Sequence, residues 1–479
     1  MVYVIALSII GLLLFITIIG IVRKPAPSAR IPVDGQAFPE GFLWSTGEDP
    51  YQHEGHNYNN DWYLWEKQTP SPVKNGDRCG PCIDFYNLYE EDFQNAANDG
   101  QNAHRIGVEW SRIEPEPEKY EEEALAHYRN MLTSMREKGF TVFLNLWHFT
   151  LPVWASRRGG WEDQYVFSRW EALVRRCAEE FGPLVDYWST MIDAQIYALA
   201  GYAAGDIPPC VKDIKRAVKV YRRLMDAHAS AYRIIKQYAA LPEGSLHPSP
   251  RVGMIYFFFY YEPRGFLLDR YICRAMDNIF NWNMLDALHT GEVNISVPLG
   301  PSIKEHDQSL KGTLDWLGIN YYTRQMISIN PFKPGFIEYK NLTIYPSTDM
   351  GWEIYPEGLY RITREAARRY PGVPLFIAES GLDDEMDRIR PKYILDHLAW
   401  THRLVQEGFP VFGFTYWSLT DNWEWAEGFE PKFGLYAVDR NTMERRPRNS
   451  ARLFRFIAKH NRLPSEEELK GGAFDYVNY

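Results

Sequence analysis

Eight short apolar runs, each with the length and residue types of a buried strand, recur between residues 42 and 417 of this 479-residue chain. They are FLWST (42–46), HRIGVE (104–109), TVFLNLW (141–147), YWSTMI (187–192), RVGMIYFF (251–258), DWLGIN (315–320), PLFIAE (374–379) and VFGFTYW (411–417). Patterns of helical period separate several of them, as at 122–138, 166–181 and 390–408. No second linker, low-complexity tract or domain-sized repeat interrupts residues 38–462. This alternation predicts an α/β chain, a (β/α)8 TIM barrel with long loops.

In such a barrel the polar residues at the C-terminal ends of the strands form the active site. Those positions hold His148, Asp193, Asn320, Glu379 and Trp417. Asp193 closes the run Trp188-Ser-Thr-Met-Ile-Asp193, and Glu379 closes Leu375-Phe-Ile-Ala-Glu379. Two carboxylates at the ends of two strands of one barrel are the minimum equipment for splitting a glycosidic bond. The formal net charge of −10 argues against a nucleic-acid partner. No metal-ligand constellation or phosphate loop is legible, so no cofactor and no metal is expected.

Residues 2–22 carry no charge. At about 1.5 Å per residue they span a hydrocarbon core of roughly 30 Å. A cleavable signal has a shorter apolar region with basic residues before it, whereas here Arg23 and Lys24 follow the run. The expectation is one N-terminal transmembrane helix, an uncleaved single-pass anchor, with the barrel on the cytoplasmic side. The expected organisation is an anchor over 1–23, a stiff Pro-rich linker over 24–37, the barrel over 38–462 and a polar, partly loose tail over 463–479. The five cysteines are odd in number and irregular in spacing, so no disulfide framework is implied. Cys79-Gly-Pro-Cys82 lacks the strand of a redox βαβ unit, and Cys82 is expected to open a helix. The sequons at Asn294 and Asn341 matter only for an extracellular domain.

Over residues 38–460 the chain resembles family 1 glycoside hydrolases. The resemblance is carried by Phe42-Leu-Trp44, Tyr51-Gln-His-Glu-Gly55, Trp110-Ser-Arg112, Leu146-Trp-His148, Gly318-Ile-Asn-Tyr-Tyr322, Gly351-Trp-Glu-Ile-Tyr-Pro-Glu-Gly358 and Trp417-Ser-Leu-Thr-Asp-Asn-Trp-Glu-Trp-Ala-Glu-Gly428. Two side branches look nearest: membrane-associated archaeal glucosidases that prefer alkyl glycosides, and the plant galactolipid galactosyltransferase. Asp387-Arg-Ile-Arg-Pro391, Pro431-Lys-Phe-Gly-Leu435 and Arg445-Arg-Pro447 look like these branches.

The resemblance implies a retaining mechanism, with Glu379 at the nucleophile position, Arg105 as the arginine that keeps it ionised, and Asp193 at the acid/base position. A purely structural ion pair of Glu379 with Arg105 is the alternative. Gln52, His148, Glu424 and Trp425 match residues that bond the glycone hydroxyls. Trp417 matches the platform beneath the ring, and Asn320 and Tyr322 match neighbours of the nucleophile. The departures are as informative. The family has Asn-Glu-Pro where this chain has Ile192-Asp193-Ala194, and Thr and Asn where it has Ala378 and Ser380. An Asp is one methylene short of the usual Glu, and Ile192 removes the amide that would hold the sugar 2-hydroxyl. Asp193 therefore reads either as a working acid/base or as a remnant. Glu48 and Asp49 stand where the family carries small residues, and read as solvated loop charges or as a substitute carboxylate at the rim. A basic helical pattern over 212–223 reads as an outer-ring helix with a solvated face or as a dock for anionic lipid.

The sequence thus supports a membrane-anchored retaining β-glycosidase or transglycosidase acting on a glycolipid or alkyl β-glycoside, glucoside or galactoside. Its alternative is a catalytically impaired glycolipid-binding protein.

Overall fold

A computed structural model describes residues 26–264, 267–298, 300–330, 337–340 and 346–471. All eight apolar runs are strands: β1 (Leu43–Thr46), β2 (Ala103–Gly107), β3 (Thr141–Asn145), β4 (Tyr187–Ile192), β5 (Arg251–Pro263), β6 (Trp316–Ile329), β7 (Leu375–Ser380) and β8 (Val411–Tyr416). Each pairs in parallel with its neighbours in chain order, and β1 pairs with β8. A parallel bridge from Gly47 to Arg105 joins the β1 end to β2 and closes the barrel. Parallel strands need crossovers, and each strand is followed by an outer-ring helix, β5 by a further helix (Leu267–Asp277) as well: α1 (Phe85–Asn98), α2 (Glu122–Glu137), α3 (Gln164–Phe181), α4 (Ile214–Tyr238), α5 (Asn283–Thr290), α6 (Pro356–Arg369), α7 (Arg390–Gln406) and α8 (Asn449–His460).

Helical period explains the outer ring. On α3, Val166, Trp170, Leu173, Val174, Cys177 and Phe181 fall on one buried stripe, and Asp163 caps the first turn by accepting from the Val166 amide at 3.0 Å. Two of the arginines of the basic pattern on α4 are engaged by the protein itself. Arg216 pairs with Glu162, and Arg222 reaches Glu305 and Asp307. These two charges are therefore spent on neighbouring segments rather than left for a lipid surface.

The barrel interior is filled in layers. Phe143, Trp316 and Phe376 plug its lower half, with the Phe143 and Phe376 rings stacked 4.5 Å apart. Ile192, Ile255 and Ala378 belong to the same apolar cluster and form its upper surface, directly beneath the strand ends.

The expected transmembrane segment, residues 2–22, lies outside the described residues. Among the described residues no helix is long and apolar enough to cross a membrane. From Ala26 onward the chain runs along the barrel. Arg324 donates to the Ala26 carbonyl at 3.0 Å, and the Ala29 amide donates to Glu357 at 2.9 Å. Residues 35–38 pair with 461–464 through the Gly35, Phe38 and Leu463 amides. The tail differs from a loose segment up to residue 471: Leu463 is buried, and Glu466–Lys470 is a short helix with a Ser465–Glu468 capping box. The helix expected to open at Cys82 begins only at Phe85, because Cys82 and Asp84 adopt positive φ (50° and 55°). Both thiols are buried and donate to carbonyls, Cys79 to Tyr51 and Cys82 to Gln52.

Candidate active site

Glu379 and Asp193 project into one cleft at the C-terminal end of the barrel, about 890 Å³ including its open mouth. Glu379 follows a register irregularity in β7 and pairs in register with Asn320 of β6. Its two oxygens are held separately: Arg105 donates to Oε1 at 2.8 Å, and the Tyr322 hydroxyl donates to Oε2 at 2.8 Å. The Tyr322 ring is stacked on Phe257, centroids 5.6 Å apart, which fixes the direction of that hydroxyl. Asp193 follows β4 in the left-handed region (φ 55°) and opens a short helix. Its amide donates to the Ile255 carbonyl at 3.0 Å, and Asn320 donates to its Oδ1 at 3.2 Å.

Both carboxyls are buried and line the same cleft, and burial raises both above the ordinary carboxylate range. For Asp193 the second cause is the charge of Glu379, so its carboxyl lies well above that range. For Glu379 the Arg105 guanidinium and the Tyr322 hydroxyl work against burial. The donors on Glu379 favour its anion, whereas burial and the Glu379 charge favour the protonated form of Asp193. That is the distribution a retaining pair needs before reaction: a charged nucleophile and a protonated acid.

The remaining expected residues assemble around this pair. Gln52 donates to the Trp423 carbonyl at 2.9 Å and lies 3.4 Å from Glu424, whose other oxygen accepts from Trp417 Nε1 at 3.2 Å. Burial pushes the Glu424 carboxyl up to about 8. At neutral pH it therefore presents both a donor and an acceptor to sugar hydroxyls. Trp417 is buried, with the Arg105 guanidinium 5.4 Å from its ring centre. His148 and Trp425 stand edge to face at 4.9 Å, and Trp425 packs against Trp62 at 4.5 Å. Gln52, His148, Tyr322, Trp417, Glu424 and Trp425 line the cleft with the two carboxylates. Arg105 and Asn320 sit behind it, hydrogen-bonded to Glu379 and Asp193.

Two features escaped the sequence reading. The first is Asp49, which is neither a solvated charge nor a rim carboxylate. It is buried beneath the site, in contact with Arg105 (Oδ2 to Nη2, 3.3 Å) and His148 (Oδ2 to Nδ1, 3.2 Å). Burial alone would raise its carboxyl, but Arg105 and His148 hold it down at about 2. Glu48 is equally buried, paired with His104. The available signal was position: both residues follow a barrel strand at the end where active sites form. The second feature is the outer wall of the cleft, where Ile196, Ala200, Ile207, Phe257, Phe259 and Phe433 present an apolar face. It is assembled from three separate segments, the stretch after β4, strand β5 itself and the loop after β8, so no single stretch announces it. Among the described residues no group of His, Cys, Asp or Glu is arranged to hold a metal ion.

Comparison with known proteins agrees with this geometry. The β-galactosidase of Pyrococcus woesei is 34% identical, over 91% of this chain and 100% of its own length. The galactolipid galactosyltransferase SFR2 of Arabidopsis thaliana is 31% identical over 80% of this chain, which spans 59% of that longer protein. The β-glycosidase structure from Pyrococcus horikoshii superposes with a TM-score of 0.82 at 33% identity, covering 91% of this chain and 98% of that one. The model of Glycosyl hydrolase family 1 matches residues 34–463. With its barrel, its paired carboxylates and a family match over nearly the whole described chain, this protein belongs to glycosyl hydrolase family 1.

Proposed function

We propose that this enzyme is a retaining β-glycosidase or transglycosidase whose substrate is a β-glycoside of an apolar alcohol, a glycolipid or alkyl glycoside. The observation that carries the reading is the division of the cleft. Its floor gathers the hydrogen-bonding groups a hexose needs, and its outer wall is apolar where the aglycone would lie. Glu379 attacks the anomeric carbon and forms a glycosyl ester while the bond to the leaving oxygen breaks. That oxygen takes the proton of Asp193, which then removes a proton from the incoming water or alcohol. Hydrolysis and transglycosylation share the ester and differ only in the acceptor. The uncharged run at residues 2–22, followed by Arg23 and Lys24, supports an anchor in the membrane with the barrel on its cytoplasmic side.

The test is incubation with 2-fluoro-glycosides carrying an activated leaving group, followed by intact and peptide mass measurement. Such probes need little acid assistance. The expected result is a glycosyl adduct on the peptide containing Glu379, lost in Glu379→Gln. No adduct with any common hexose probe would favour a glycolipid-binding protein without turnover. The aglycone assignment has its own measurement. Across a series of alkyl glucosides, kcat/KM should rise about threefold to fourfold per added methylene until the wall is covered. Ile207→Asp and Phe259→Asp should flatten that slope and leave the rate on a methyl glycoside little changed.

A further inference from the structure

Arg105 is shared. Its Nη2 donates to Glu379 at 2.8 Å, and the same nitrogen lies 3.3 Å from Asp49. Its Nη1 also donates to Asp49, at 3.4 Å. Asp49 and Glu379 are therefore second neighbours across one guanidinium nitrogen, and all three groups are buried. His148 Nδ1 lies 3.2 Å from the same Asp49 oxygen, Oδ2, that faces Arg105 Nη2, and the Asp49 amide donates to His53 Nδ1 at 3.2 Å. Two buried carboxylates on one cation cannot both be fully neutralised by it.

We propose that Asp49 is a positioning residue that acts through Arg105: by occupying part of the guanidinium fork it leaves Glu379 less neutralised, a stronger nucleophile and a slower leaving group. The inference rests on Glu379 being the nucleophile. It fits the rest of the site. An acid shortened to Asp193 gives the leaving oxygen less help, and a more reactive carboxylate offsets that in the first step. In the second step the ester of a more basic carboxylate breaks more slowly. The first aglycone then has time to leave and a second alcohol time to enter.

Every charged or titratable group facing Glu379 bears on the test. Arg105 comes from β2, His148 from the β3 end, Asp193 from the β4 end, Tyr322 from β6, Glu424 from the loop after β8 and Asp49 from the loop after β1. A unit charge at about 6 Å and an effective dielectric near 20 moves a carboxyl by roughly two pH units.

The experiment is the pH profile of trapping by an activated 2-fluoro-glycoside, whose acid limb reports protonation of Glu379, together with the rate at which the trapped protein regains activity. In the unaltered full-length protein the limb should lie above the ordinary glutamate range of about 4.3. In Asp49→Asn and Asp49→Ala it should move down by about one to two pH units. Trapping at neutral pH should slow, reactivation should quicken, and Asp49→Glu should restore the original limb. A limb at or below the ordinary range in the unaltered protein overturns the inference even if neither variant folds. So does a limb that stays in place in folded variants, whatever happens to the rates. Absence of any adduct on Glu379 at every pH would instead sink the retaining mechanism itself.

Discussion

Asp193, proposed above as the acid, is one methylene shorter than a glutamate would be. A shorter acid penalises most the substrates whose leaving oxygen needs a proton, so activated aryl glycosides should be turned over far faster than alkyl glycosides. General acid catalysis contributes about 10²–10⁴-fold. Asp193→Ala should therefore slow alkyl substrates about 100-fold or more and aryl substrates much less, measured as kcat/KM on matched pairs. Equal losses on both would remove Asp193 from the acid role. The pH dependence carries a sign. Burial and the charge of Glu379 raise the Asp193 carboxyl, so the acid form persists above the ordinary carboxylate range, and alkyl-glycoside turnover is lost only as pH rises through that raised value. At this scale the sequence was legible where a motif kept its residues, as at Gln52, Trp417 and Glu424. It was not legible at Asp49, because a charged residue after Gly47 and before Pro50 has the composition of an exposed turn. Only closure of the barrel between Gly47 and Arg105 puts it inside.

At the scale of elements, period and length were enough to find every barrel strand and the helices over 122–137, 164–181 and 390–406. The loops were less legible, since their conformations are set by contacts between distant segments. The loop after β8 shows this. It delivers Trp417, Glu424 and Trp425, and it is seated against Gly381, where an added Cβ would lie 2.0 Å from the Trp417 carbonyl. Gly381→Ala must displace that backbone. The expected cost is about 1–3 kcal/mol of stability with loss of probe trapping, read by thermal melting and mass. A strand hairpin further on (Tyr436–Asp439 with Glu444–Pro447) is tied to α1 by a different device. Arg445 forks onto Asp92 with both bonds at 3.0 Å, and neither side chain is exposed. Arg445→Ala should cost about 3–5 kcal/mol, because it strands a buried carboxylate, and the paired Asp92→Leu, Arg445→Met change should recover much of it.

At the scale of the whole molecule, the chain ends meet: residues 35–38 pair with 461–464, and residues 26–29 are bonded to the barrel wall. Removal of residues 1–25 should release a folded barrel that traps the probe as before, whereas removal of 1–37 should lower the melting temperature by several degrees. A protein lacking 1–25 that still floats with vesicles would show a second membrane contact. The barrel itself couples residues the chain keeps far apart. Ile192 and Ala378 look like two independent departures from the family pattern, yet they join one apolar cluster with Ile255 beneath the strand ends. An amide restored at Ile192 alone would meet hydrocarbon, at about 1–3 kcal/mol for a buried group without a partner. Ile192→Asn should therefore be tolerated better when Asp193→Glu and Ala378→Thr accompany it than alone, since residues of one cluster do not vary in stability independently.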